Sequence, residues 1–221
     1  MNFKIVSFGD IHENLKYLDR LAKEIKNSNL VILTGDITNK GGVKRAEQVI
    51  NRIKELKIDV YAVSGNLDLP EVEDYLDSID IGLNSKARFF KGIVLTGVGG
   101  SNPTHLFTPN EKDEDCIWQS LMKGYLRLNN VRPWILVSHP PPKGTRLDKI
   151  FTGCHVGSKA VRDFIVEFMP DVCLCGHIHE SYGVDKLGET VIANAGAFGN
   201  GQFINLSIKE GKYDVDLMTM R

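Results

Sequence analysis

The stretch Phe3-Lys4-Ile5-Val6-Ser7-Phe8-Gly9-Asp10-Ile11-His12 decides how this chain is read. An apolar, strand-like run stops on a glycine and is followed at once by a carboxylate and an imidazole. Four more runs end in the same way. Residues 30–33 lead into Thr34-Gly35-Asp36, and residues 60–63 into Ser64-Gly65-Asn66-Leu67-Asp68. Residues 134–137 lead into Ser138-His139-Pro140, and residues 172–174 into Cys175-Gly176-His177-Ile178-His179. Polar side chains at strand ends are how α/β proteins gather distant residues at one sheet edge. Oxygen and nitrogen donors without a thiolate suit divalent manganese, zinc, iron, cobalt or nickel better than calcium or a structural zinc.

Working outward, Leu15, Leu18, Leu21, Ala22 and Ile25 recur at helical spacing, as do Val43, Ala46, Val49, Ile50, Ile53 and Leu56. The first 80 residues therefore read as βαβαβ, with parallel strands and right-handed crossovers. Pro70 opens a short third helix. Residues 87–90 and 92–98 read as strands. A helix is expected to start within Asn110-Glu111-Lys112-Asp113, with Ile117, Leu121, Met122, Tyr125, Leu126 and Leu128 as its apolar face. Residues 138–157 form a long loop holding Pro140-Pro141-Pro142, Lys143, Arg146, Lys149, Cys154 and His155. Loops of that length inside a compact domain are usually functional. Ser158 caps the next helix, which ends before Pro170. After His179 only strands are expected, over 182–186, 190–193, 202–208 and 212–218. With no repeat and no linker, residues 1–221 are read as one domain.

Composition narrows the function classes. Apolar residues make up 42% and charged residues 25%, and the net charge of −1 gives no basic field for nucleic acid or membrane surfaces. The N-terminus lacks the shape of a signal peptide, and no apolar run is long enough to span a bilayer. The four cysteines lack the density of a disulfide scaffold, so a reducing, cytoplasmic setting is expected. Cys173 and Cys175 alternate on a strand and read as two core residues on one face. No motif specifies an oligomeric state.

Asp10 with His12, and His177 with His179, are two residues apart. On extended backbone each pair shares a face and can reach one pocket. Asp36, Asn66 and His139 add donors from other strand ends. Taken singly, Asp10, Asp36 and Asn66 would read as turn residues beside glycine. Together, seven donors exceed one four-coordinate ion and match two.

The ordered set D-x-H, G-D, G-N-x-(D/E), H and G-H-x-H resembles the calcineurin-like metallophosphoesterases. It runs from Asp10 to His179 and takes up four of the six histidines. The resemblance implies two mixed β-sheets packed as a sandwich with flanking helices, the four-layer αββα arrangement. It implies one divalent metal, most suitably manganese, on Asp10, His12, Asp36 and His179. A second would sit on Asp36, Asn66, His139 and His177, with Asp36 bridging and a bridging hydroxide as nucleophile. The implied substrate is a small phosphoester, a diester ahead of a monoester. The alternative is an interaction scaffold of the same fold with little catalysis.

One position departs from the pattern. Where the family carries a histidine that protonates the leaving group, this chain has Leu67, and a proton donor is worth ~10²–10⁴-fold. His155 is the substitute candidate for that acid or for a phosphate contact. Lys143 and Arg146 are candidate substrate-binding cations, with Lys149 beside them. His105 is a further candidate for the pocket lining, and Asp68 is expected to orient a ligand or cap the helix at Pro70.

Overall fold

In the computed structural model, which describes residues 2–129 and 131–220, the chain alternates β1 (Asn2–Phe8), α1 (Leu18–Lys26), β2 (Leu30–Leu33), α2 (Val43–Lys54), β3 (Val60–Ala62) and α3 (Glu71–Ser78). There follow β4 (Ala87–Phe90), β5 (Ile93–Val98), α4 (Glu114–Tyr125), β6 (Trp134–Ser138), α5 (Lys159–Phe168) and β7 (Val172–Cys175). The chain closes with β8 (Gly183–Leu187), β9 (Thr190–Asn194), β10 (Gln202–Lys209) and β11 (Lys212–Thr219). Two mixed sheets result, ordered β11-β10-β1-β2-β3 and β4-β5-β6-β7-β9-β8. Strands β1, β2 and β3 are parallel, as are β5, β6, β7 and β9, while β4, β8, β10 and β11 pair antiparallel.

Side-chain alternation builds the layers. Ile5 and Ile32 from the first sheet meet Ile135 and Leu174 from the second in a core between the sheets. Their strand neighbours Val6, Val31 and Leu33 face the other way and pack with Leu21, Ile25 and Ile50 of α1 and α2. On the far side of the second sheet, Leu136 and Cys173 pack against Ile117 of α4 and Phe164 of α5. The order is helices, sheet, sheet, helices. Strands β2, β5, β6 and β7 are buried along their whole length, which is why their sequences are continuous apolar runs rather than clean alternations. Cys173 and Cys175 sit together in the α4–α5 core, and burial pushes both thiols up. Among the described residues no helix is long and apolar enough to cross a membrane.

Three local expectations are corrected. Helix α4 starts only at Glu114, because Asp113 is its cap and its carboxylate accepts the Cys116 N–H at 2.7 Å. Asn110 and Glu111 stay outside the helix, where their side chains serve the site below. Leu126 lies past the last residue of α4 and is 75% exposed, so it is not part of the apolar face. The segment after His179 is not purely strand: short 3-10 turns occupy His179–Ser181 and Phe198–Asn200, and another, Arg146–Asp148, structures the long loop.

Candidate metal centre

All seven anticipated ligands lie on loops that leave the ends of β1, β2, β3, β6 and β7. These loops extend the sheet pairing past the strands. Asp10 N–H donates to Gly35 O at 2.9 Å, Ile11 N–H to Asp36 O at 2.8 Å, and Gly176 N–H to His139 O at 3.1 Å. The pairs Asp10/His12 and His177/His179 do not converge as neighbours on extended backbone. Asp10 and His12 both have φ of +48°, Asp36 +47° and His177 +72°, while His179 opens a 3-10 turn. Left-handed non-glycine residues cost of order 1–3 kcal/mol each and cluster where surrounding structure enforces them. Two glycines allow the loops to close in. A Cβ on Gly65 would strike the Asp36 carboxylate, and one on Gly35, at φ +103°, the His139 ring.

His139 is fully buried, and its Nδ1 lies 2.7 Å from Thr34 O. A carbonyl can only accept, so Nδ1 carries the proton. Burial holds the imidazole below its ordinary pKa, so the ring is neutral and Nε2 presents a lone pair. That lone pair faces Asn66 Oδ1 at 2.9 Å and Asp36 Oδ1 at 3.5 Å. The amide orientation of Asn66 follows from its other end. Asn66 Nδ2 donates to Thr108 Oγ1 at 3.0 Å, and Thr108 in turn spends its only hydroxyl proton on Glu111 Oε1 at 2.8 Å. Three acceptor atoms therefore converge with no proton between them, an arrangement that a cation relieves.

The second cluster is more open. His12 Nε2 lies 3.4 Å from His179 Nε2 and 4.0 Å from Asp36 Oδ2, and His179 Nε2 lies 3.2 Å from Asp10 Oδ1. Asp36 thus turns one oxygen towards each cluster, and the Leu67 N–H holds its Oδ1 at 2.8 Å. Donor atoms of Asp10, His12 and His179 fall within 4.8 Å of one another, as do those of Asp10, Asp36 and His139, so both groups can hold a metal. His177 is in neither group. Its N–H donates to the Asp10 carboxylate at 3.0 Å, and its ring centroid is 5.0 Å from that of His139.

The electrostatics match an anionic pit lined by imidazoles. Burial raises Asp36 well above the usual carboxylate range, reinforced by the charges of Asp10 and Asp68. Burial also acts to raise Asp10, but the hydrogen bond from His179 and the surrounding imidazoles leave it lowered. Burial and the neighbouring His139 push His177 down to about 3. His179 is raised by its hydrogen bond to Asp10. A cation would offset the cost of holding two carboxylates in this buried pit.

Asp68 is buried and does not cap the helix at Pro70. It accepts N–H bonds from Thr38 at 2.7 Å and Gly65 at 2.8 Å, tying the Asp36 loop to the Asn66 loop. Lys143 and His105 line a cavity of about 460 Å³ that His177 and Ile178 also border. Arg146 does not join them: its N–H and guanidinium bind the Asp185 carboxylate at 2.8 and 3.3 Å, turning it towards β8. His155 donates from Nδ1 to the buried Asp148 carboxylate at 2.6 Å, and its ring is not part of that cavity wall, although Val156 and Gly157 are. Thr34, Thr108 and Glu111 orient ligands and were not anticipated.

Comparison with known proteins agrees with this geometry. A family model described as calcineurin-like phosphoesterase matches residues 3–181. An uncharacterized protein of Methanocaldococcus jannaschii, MJ1162, is 37% identical over 197 residues, covering 86% of this chain and 87% of its own. The crystal structure of TT1561 of Thermus thermophilus superimposes with a TM-score of 0.74 at 16% identity, over 98% of this chain and 99% of the other. A putative 5'-nucleotidase from Staphylococcus aureus superimposes with a TM-score of 0.61 at 14% identity, over 99% of this chain and 54% of the other. At these identities the two structures are likenesses of fold.

Proposed function

The chain belongs to the calcineurin-like phosphoesterase family, and from that premise we propose that it hydrolyses phosphoester bonds, diesters ahead of monoesters, with two divalent metal ions. The ligands in this reading are Asp10, His12, Asp36, Asn66, His139, His177 and His179, and residues 1–221 act as one domain. The observation that carries it is the convergence of His139 Nε2, Asn66 Oδ1 and Asp36 Oδ1 without a proton among them. The donor set of carboxylate, amide and imidazole suits manganese, with zinc, iron, cobalt and nickel as competitors. Two such ions, when bound, supply Lewis acidity towards phosphoryl oxygens and acidify water.

The chain's own residues set the rest. Asp36, with one oxygen towards each cluster, is the bridging ligand in this reading. Thr34 and Thr108 hold the His139 tautomer and the Asn66 amide in the binding orientation, so little reorganisation accompanies loading. Leu67 offers no proton at the position that faces the substrate in the family pattern, and His155 is engaged by Asp148. Esters whose leaving group departs without protonation are therefore favoured, and an activated diester meets that condition.

The test is hydrolysis of bis-p-nitrophenyl phosphate and p-nitrophenyl phosphate by metal-depleted protein reloaded with manganese. We expect turnover of the diester to exceed that of the monoester. Asp36→Ala is expected to lower it by about a thousandfold, given that metal assistance contributes several kcal/mol to the barrier. A fully loaded protein that turns over no member of a broad ester panel would sink the proposal.

A further inference from the structure

The cavity of about 460 Å³ bordered by His177 is walled by parts of two loops whose lining residues are not themselves among the seven candidate ligands. One wall is the segment after β5, with Pro103 and Leu106. The other is the long loop after β6, with Ile150 and Val156. Ile178, between the two histidines, forms part of the floor. The walls are fixed to each other and to the centre. Asn102 Nδ2 donates across to Val156 O at 3.0 Å, and Glu111 accepts from the Thr104 hydroxyl at 2.6 Å and the Thr108 N–H at 2.8 Å. The wall that carries Thr104 and Leu106 is thus clamped by the same carboxylate that orients Asn66 through Thr108.

The charges in the cavity point the same way. Glu114 is consumed at the start of α5, where it accepts from the Ser158 hydroxyl, the Lys159 N–H and the Ala160 N–H. Glu180 accepts the Phe151 N–H at 3.2 Å. Lys143, by contrast, forms no ion pair among the described residues. Large apolar side chains are held in solvent on both loops: Leu106 is 78% exposed, Phe107 87% and Phe151 93%. Of these, Leu106 lines the cavity itself, and an apolar side chain at a concave, pre-formed site suits ligand binding.

We infer that this cavity, walled by Pro103, Leu106, Ile150 and Val156, is the subsite for the organic group of the ester, and that it takes an apolar group bulkier than methyl while Lys143 meets phosphoryl oxygen. The inference rests on the phosphoesterase reading. It makes the apolar ester group, rather than the phosphate, the source of substrate selectivity.

Calorimetric titration of manganese-loaded protein with methylphosphonate and with naphthylmethylphosphonate tests it, since neither ligand can be hydrolysed. The bulky phosphonate is expected to bind about tenfold tighter, as burial of a few tens of Å² of apolar surface provides. In Leu106→Ser, an exposed position whose change spares the core, and in Ile150→Ala, that ratio is expected to fall below about twofold. Equal affinities in the unaltered protein, or a ratio that both variants leave in place, overturn the subsite while leaving the metal reading standing. Binding of neither phosphonate overturns the subsite together with the metal-centred reading beneath it.

Discussion

His139 and Asn66 are 0% and 4% exposed, whereas the side chains of His12 and His179 keep 22% and 42% of their surface in solvent. The two halves of one centre are therefore held by different means. In the buried half three candidate ligands are held by hydrogen bonds: Thr34 O on the His139 ring, Thr108 on the Asn66 amide, and the Leu67 N–H on Asp36. In the open half the rings of His12 and His179 contact each other and the carboxylates. Behind His12 lies the Thr38 backbone, without a well-formed hydrogen bond to the ring's Nδ1. The difference teaches that, in the proposed two-metal reading, the buried half would be preorganised for its ion, while the open half would adapt to and exchange the other.

The largest effect should come from removing a ligand on each side. His139→Ala is expected to lower affinity for the tighter ion by more than the ~100-fold upper end typical of outer-shell changes. His12→Ala should leave one tightly held ion, with activity recovering in excess manganese. Metal content after dialysis, by mass spectrometry, decides this, and equal losses in the two variants would break the comparison. Next, Thr108→Val removes the acceptor for the Asn66 amide. It should weaken the tighter ion about 10–100-fold, and Thr108→Ser should restore it. No change in Thr108→Val would show that Asn66 needs no orienting partner.

The smallest effect is the pH dependence of the metal-free protein. Burial lowers His139 and takes His177 to about 3 in the folded state. Between that value and the unfolded value near 6.5, the unfolded chain binds more protons, so these two rings make stability fall as pH falls. The raised carboxyl of Asp36 acts with the opposite sign, losing stability as pH rises above about 4. Denaturation midpoints measured from about pH 7 down to about pH 4 should therefore drop less steeply in His177→Asn than in the unaltered chain. Identical slopes would remove His177 from the account.

The layers of the fold and the five strand ends were legible in the sequence because a strand buried on both faces writes a continuous apolar run, and the ligand follows it immediately. The route by which ligands converge was not. Asp10 and His12 reach the centre through left-handed backbone at φ +48°, where an alternating strand was expected, and no side-chain pattern announces that angle. Thr34 acts through its carbonyl, which every residue possesses. Thr108 meets Asn66 from 42 residues away, out of a loop without periodicity. The pairing of Arg146 is hidden for the same kind of reason: its carboxylate partner, Asp185, lies 39 residues downstream on another strand. Local chemistry can be read along the chain, whereas pairings set by tertiary approach cannot.

The hydrogen bond from the His177 N–H to Asp10 spans 167 residues and joins the loop after the first strand of one sheet to a loop of the other. Contacts of such separation carry a large loop-closure cost and form late in folding. The ligands of the centre come from both sides of that seam, so a half-folded chain has no complete site to offer. Metal capture would then serve as a checkpoint, occurring only once the two sheets have docked, and the bound ions would act as a clasp that slows their parting.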